Sequence, residues 1–364
     1  MASQLLPIIG PASELMRINK PVGILNIFFP YMYGFLFVRL IDDASHSVRR
    51  TLGVQLPILF FSAFVLRSAG CVWNDIVDMD IDRMVARTRT RPLPRGAISP
   101  FAACWVASAL FAIWAATVAL LLPDPVRLAA YATPLTALVI GYPYMKRVTN
   151  YAQVFLGFTL AWGVFFGAAI AGFDVLEYLT RAFGSAWTTH NFDKLTLHLS
   201  DKRVCGLTAL HFVYVVWSVI HDTIYAFQDY KDDKKAGVKS MALTLSGKTK
   251  PVLWTLAEIQ VMLLIAACIS SVPASVPAAQ SLLSSGQPDG YLTLTSFVIE
   301  ALQLRWIFLV VAVSGNALVL SLMVGRVDLS DPQDCARWFK TGSVWVGSTI
   351  GLGFLLEYVS QVLE

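Results

Sequence analysis

The chain has 364 residues, 56% hydrophobic and only 14% charged, with a mean hydropathy of +0.61; that balance excludes a soluble globular domain and describes a polytopic membrane protein. Its net charge of +4 is modest, and the bases are spread among loops instead of forming a stripe interleaved with aromatics, which excludes nucleic acid as a partner. The five cysteines (Cys71, Cys104, Cys205, Cys268, Cys335) form no C-x-x-C pair and read as core packing.

Residues 1–21 carry Glu14 and few arginines, so they do not read as a mitochondrial presequence. No cleavable signal precedes the first apolar run, which is then expected to act as its own insertion signal. Nine such runs follow, at 22–41, 53–73, 101–122, 127–144, 153–172, 207–225, 251–271, 305–325 and 342–362. Each is long enough to cross a hydrocarbon core about 30 Å thick as a helix. Backbone groups in lipid must be bonded within their own segment, so the expected fold is all-α: nine transmembrane helices in one integral-membrane unit, 1–364. The N-terminal segment and the even-numbered loops carry 18 Lys/Arg, against 9 in the odd-numbered loops and adjoining span edges, which puts the N-terminus in the cytosol. Arg181, Lys194, Lys202 and Arg203 in the fifth loop (173–206) run against that bias. The loop at 272–304 reads as a lumenal excursion without chemistry.

Within the second span lies Arg67, two turns before Asn74 and on nearly the same face; an arginine there needs an anion, a polar partner or a short reach to the surface. The span runs into Asn74-Asp75-Ile76-Val77-Asp78-Met79-Asp80-Ile81-Asp82. If the helix continues, Asn74, Asp78 and Asp82 share a face over two turns. Bases follow: Arg83, Arg87, Arg89, Arg91 and Arg95. After the fourth span comes Tyr142-x-x-x-Lys146. The sixth span repeats the design with Asp222, Tyr225, Asp229 and Asp233 at steps of three or four, with Lys231, Lys234, Lys235 and Lys239 among and after them. Four spans separate the two motifs, which suggests two four-helix halves in parallel with a ninth helix appended and a site where the halves meet.

Clustered carboxylates at a membrane edge are costly without cations. Magnesium suits them, because it takes a few carboxylate oxygens together with waters and phosphates. Arg87, Arg91, Tyr142 and Lys146 could hold the diphosphate oxygens left over. Acids, metal and bases at the mouth of an apolar bundle describe a site for a charged head with a long apolar tail, the shape of a prenyl diphosphate.

The stretch Leu66-Arg67-Ser68-Ala69-Gly70-Cys71 leading into the first acidic motif, Arg87-Thr88-x-x-Arg91-Pro92-Leu93, Tyr142-Pro143-Tyr144-Met145-Lys146-Arg147, Asp222-Thr223-Ile224-Tyr225-Ala226-x-Gln228-Asp229 and Gly237-Val238-Lys239-Ser240 together resemble the UbiA superfamily of intramembrane aromatic prenyltransferases, particularly its 4-hydroxybenzoate polyprenyltransferase branch. The resemblance covers most of the chain. It implies magnesium, an allylic diphosphate donor and a phenolic acceptor. It also implies metal-binding roles for Asn74, Asp78, Asp82, Asp222, Asp229 and Asp233, diphosphate contacts from Arg87, Arg91, Tyr142 and Lys146, and an acceptor carboxylate at Arg67. Tyr225 and Lys239 belong to the same substrate-binding set. In length and motif wording the chain is most similar to fungal meroterpenoid enzymes, which implies farnesyl transfer to an aromatic polyketide at the endoplasmic reticulum; a ubiquinone-pathway enzyme is the alternative.

Trp73, Phe158, Trp162 and Tyr225 are candidates for an aromatic lining that shields a carbocation, whereas His211 and His221 read as packing. Two other classes are weaker. A cation-coupled transporter would place its acids at mid-span, and here they cluster at helix ends. A soluble prenyl synthase or terpene cyclase would need amphipathic helices.

Overall fold

The computed structural model describes residues 10–41, 51–189, 201–272, 299, 301 and 303–363. The segments 190–200 and 273–298, which include Lys194 and most of the expected lumenal excursion, lie outside the described residues. Among the described residues every regular element is helical.

The long helices are α1 (Val22–Ile41), α2 (Leu56–Val77), α4 (Pro100–Ala119), α5 (Pro125–Val148), α6 (Ala152–Ala171), α8 (Lys202–Ala226), α11 (Thr249–Ser270), α12 (Trp306–Arg326) and α13 (Pro332–Leu363). Short helices decorate their ends: α3 (Met79–Met84), α7 (Val175–Thr189), α9 (Tyr230–Ala236) and α10 (Met241–Leu245). Local chemistry sets the boundaries. Ser99 caps α4 by accepting from Ala102 N at 3.1 Å, and Asp124 caps α5 by accepting from Val126 N at 2.8 Å, each followed by a proline at the first helical position.

Eight helices among the described residues are long and apolar enough to cross a membrane. The ninth expected segment, at 127–144, is helical but falls outside these eight. That segment forms α5, which at 24 residues is long enough, but Pro134, Pro143, Tyr131, Tyr142 and Tyr144 dilute its apolar character below that of the others. The last span also begins earlier than its hydropathy indicates, at Pro332, because its first two turns carry charges and extend beyond the apolar stretch.

α1 is buried on nearly every side from Phe29 to Leu40, so it is the central helix and not a lipid-facing one. It packs chiefly on α6 and then on α13; α8 packs on α6 and α11, and α2 on α4. The α1–α6 contact is backbone on backbone: a Cβ at Gly34 would lie 1.8 Å from Val164 O, and one at Gly167 2.0 Å from Tyr31 O. Only glycine permits that approach. By contrast α4 turns Phe101, Trp105 and Ile113 outward.

Because the long helices alternate in direction, the N-terminal ends of α1, α6 and α13 gather with the C-terminal ends of α2, α5 and α8. These six ends line one cavity of about 840 Å³.

Candidate active site

Both acidic motifs reach this cavity, though neither is a continuous helix. α2 stops at Val77, and Asp78 leaves helical geometry before α3 begins. The i to i+4 hydrogen bonds nevertheless persist, from Asp78 N to Asn74 O at 2.9 Å and from Asp82 N to Asp78 O at 2.8 Å, so the expected face survives the break. In the second motif a 3₁₀ turn, Phe227–Asp229, separates α8 from α9. Asp222, Tyr225, Asp229 and Asp233 still all line the cavity. Gly237 closes α9 with φ +68°, and Lys239 N then donates to Lys146 O at 3.1 Å, tying the end of this motif to α5.

The acids are compensated one by one. Asp78, with no exposed surface, accepts from Lys146 Nζ at 2.6 Å and from Asn74 Nδ2 at 3.1 Å on Oδ2, while its buried Oδ1 has no hydrogen-bond partner. Asp82 accepts from Arg91 Nη1 at 2.6 Å. Asp229 receives a bidentate contact from Arg87, with Nε at 2.9 and 3.1 Å from its two oxygens. The two motif loops touch again where Ala86 N donates to Asp232 at 3.1 Å. Burial, reinforced by Asp75, raises the Asp82 carboxyl above its ordinary pKa against the pull of Arg91.

Of the predicted residues, Arg67, Asn74, Asp82, Arg87, Arg91, Tyr142, Lys146, Asp222, Tyr225, Asp229, Asp233 and Lys239 line the cavity, and Asp78 stands just behind Lys146 and Asn74. Arg67 donates to Met16 O at 3.1 Å and lies against Gly23, where a Cβ would be 2.4 Å from its Nε. The six expected metal ligands do not form a ready-made cage, and no three His, Cys, Asp or Glu side chains among the described residues converge to hold an ion. The reason is the ion pairing: neighbouring carboxylates repel, and arginine and lysine of the same site hold them apart.

The aromatic expectations divide. Trp73 donates to Ile140 O at 2.9 Å and Trp162 to Tyr131 O at 3.0 Å, so both tie helices together; Phe158 is exposed and packs against His211 and Phe212. None of the three lines the cavity, whereas Tyr225 does. Arg87 lies over its ring at 5.2 Å, and Phe339 of α13 packs against it at 4.2 Å. His211 is a packing residue as expected, its Nδ1 3.0 Å from Ala161 O, but His221 lines the cavity.

Sequence reasoning missed several groups here. Buried Asp75 binds Arg17 Nη2 at 2.5 Å and Arg91 Nη1 at 3.0 Å, pinning the N-terminal segment across the mouth. Lys20 and Lys340 add further cations. Burial, and then Arg17, Arg87, Arg91 and Lys340, lower the pKa of Lys20. Arg17 and Lys20, spaced three apart before Pro21, were a readable signal that entered only the charge asymmetry; Lys340 is remote in sequence and gave none.

The molecule is a multi-pass helical bundle with an acid- and base-lined mouth above an apolar interior, the architecture of an integral-membrane protein with a built polar site. Its sequence matches the UbiA prenyltransferase family over residues 28–288, and a mitochondrial 4-hydroxybenzoate polyprenyltransferase of Schizosaccharomyces pombe is 31% identical over 96% of this chain and 80% of that one. The DMOA farnesyltransferase nvfB of Aspergillus novofumigatus is 34% identical over 66% of this chain and 67% of its own. Among solved structures, the UbiA homolog from Archaeoglobus fulgidus bound to GPP and Mg2+ has the same fold, with a TM-score of 0.55 at 16% identity, covering 97% of this chain and all of that one. The chain belongs to the UbiA prenyltransferase family, and it is a membrane prenyltransferase.

Proposed function

We propose that this protein transfers a polyprenyl group, farnesyl in the reading we favour, from its diphosphate to a ring carbon of a phenolic aromatic acid, using magnesium. We infer a polyketide-derived acceptor of meroterpenoid metabolism, an endoplasmic-reticulum membrane and a cytosolic N-terminus. The observation that carries the reading is the single cavity in which the acidic residues of both motifs meet Arg87, Arg91, Tyr142 and Lys146 at the end of an apolar bundle. Its volume of about 840 Å³ suits a small-molecule substrate.

The donor set fits magnesium: Asp78 Oδ1 is a buried carboxylate oxygen without a partner, and Asn74, Asp82, Asp222, Asp229 and Asp233 offer further oxygens around the same mouth. When bound, the metal supplies positive charge to the leaving diphosphate. Arg87, Arg91 and Lys146 would bind the phosphate oxygens and stabilise the charge that grows as the allylic C1–O bond breaks. Tyr225 and Phe339, packed on each other, would add aromatic surface to the wall beside the cationic carbon. Arg67 is the group for the acceptor's carboxylate: it donates to a backbone carbonyl, Met16 O, and among the described residues no carboxylate pairs with it on the cavity wall.

A 4-hydroxybenzoate polyprenyltransferase is the second reading, favoured by the S. pombe relative that spans nearly the whole chain. The test is an assay on purified membranes with farnesyl diphosphate and longer donors, magnesium, and a panel of 4-hydroxybenzoic and orsellinic acids, read by mass spectrometry beside Asp78→Ala. A farnesylated orsellinic-type product, absent from the variant, supports the first reading. Preference for 4-hydroxybenzoate with a longer chain supports the second, and no product from folded protein sinks both.

A further inference from the structure

Of the cavity's side chains, His221 is the one whose role neither the acidic motifs nor the bases explain. Its ring lines the cavity on the same face of α8 as Ser218, Asp222 and Tyr225, and it is 5% exposed. One edge of the ring is committed: Nε2 is hydrogen-bonded to Ser343 Oγ of α13, and the Ser343 hydroxyl itself donates to Phe339 O at 2.8 Å. A hydroxyl has one hydrogen. With that hydrogen on the Phe339 carbonyl, Ser343 can only accept from the imidazole, so Nε2 carries the N–H and Nδ1 keeps a lone pair.

The ring cannot turn to hide that lone pair. Phe339 stacks on it at 4.0 Å and Trp217 packs at 5.0 Å. The ring's hydrogen bonds run to α13, to Ser343 Oγ and the Phe339 backbone, and the ring lines the cavity, which leaves Nδ1 as the edge turned to it. A fixed acceptor on the cavity wall calls for a donor on the ligand. A prenyl diphosphate has no O–H on its tail, and an aromatic carboxylate has none when ionised; a phenol has one.

We propose that Nδ1 of His221 accepts a hydrogen bond from the phenolic hydroxyl of the acceptor, so that His221 selects a free phenol and turns the ring carbon beside that hydroxyl toward the donor. The inference rests on the aromatic-acceptor reading above and names the contact that orients that substrate. Ser343 is then a positioning residue, acting through the tautomer it imposes. The contact is a hydrogen bond only; no proton leaves the phenol to His221.

Two isosteres separate the two nitrogens. Asn at 221 can present an oxygen near the place of Nδ1 but does not reach Ser343, whereas Gln reaches Ser343 and gives up the Nδ1 acceptor. Purified full-length enzyme would be given a hydroxybenzoic or orsellinic acid in competition with its O-methyl ether, and kcat/KM and donor KM measured. Wild type is expected to prefer the free phenol at least roughly tenfold. His221→Gln should lose most of that preference through acceptor KM, with donor KM unchanged, while His221→Asn keeps it within about threefold. Ser343→Ala, which frees the tautomer without touching the ring, should lie between them, and it serves if a position-221 variant fails to fold. Retained preference in His221→Gln, or parallel loss of acceptor and donor affinity in all three variants, overturns the proposal. Wild type that prenylates no phenolic acid overturns the underlying reading as well; active wild type with a His221→Gln that keeps the preference for the free phenol overturns only this one.

Discussion

Asp78 shows what the site demands of a single residue. A carboxylate with no exposed surface is tolerable only if its charge is balanced, and Lys146 Nζ at 2.6 Å balances it. Lys146→Met should therefore destabilise the protein by about 3 kcal/mol, by leaving a buried anion uncompensated, and abolish measurable turnover. Asp78→Asn combined with Lys146→Met should recover most of the stability and none of the activity. Thermal unfolding in detergent, run on both singles and the double, checks this. Equal destabilisation in the single and double lysine variants would mean that Lys146 acts by packing its stem and not by its charge. The partnership was half legible in the sequence. Spacing placed Asn74, Asp78 and Asp82 on one face, and the acids duly meet the bases, but which base would face which acid depends on α5 returning to the mouth from the far end. No local pattern carries that information. The same limit hid Asp75, a motif residue turned inward to Arg17 and Arg91, and it hid Phe339 and His221, whose meaning comes from α13 lying against α8.

At the scale of elements, the apolar runs gave the helices readily because lipid leaves the backbone no alternative. They gave the packing poorly, because a run of apolar residues looks the same whether it faces lipid or protein. α1 and α4 are equally hydrophobic to the eye, yet one is central and the other exposes Phe101 and Trp105. What distinguishes α1 is its reciprocal contact with α6 through Gly34 and Gly167. Gly167→Ala places a methyl group against the carbonyl of Tyr31 and forces the helices apart. Overpacking of this kind should cost about 1–3 kcal/mol. Because α1 and α6 both send their N-terminal ends to the cavity, the same variant should raise donor KM. Gly172→Ala, at the end of α6 with φ +112° but with open space around it, is the comparison: it strains the backbone without moving the helix. A fall in melting temperature for both, with donor KM altered only in Gly167→Ala, is the expected pattern. Unchanged donor KM in Gly167→Ala would separate the α1–α6 contact from the site.

For the whole molecule, the ion pairs that close the mouth couple the proposed metal and the proposed donor. Arg87 with Asp229, Arg91 with Asp82 and Lys146 with Asp78 each join a group expected on phosphate to a group expected on magnesium. Magnesium alone would compete with three cations for the carboxylates, and a diphosphate alone would compete with carboxylates for the cations. With both bound, each broken pair would be replaced on each side, so each ligand would lower the cost of binding the other. Coupling of this kind typically amounts to about 1–3 kcal/mol and is reciprocal by linkage. The prediction is that magnesium and an unreactive farnesyl thiodiphosphate, added together, raise the melting temperature of the purified protein by more than the sum of their separate shifts. In Arg87→Gln, where one of the three pairs is gone, the excess should shrink, because magnesium then meets less competition at Asp229. Additive shifts in the wild type would mean that the arginines and lysine do not change partners, and the site would then hold its donor in an arrangement other than an exchange of ion pairs.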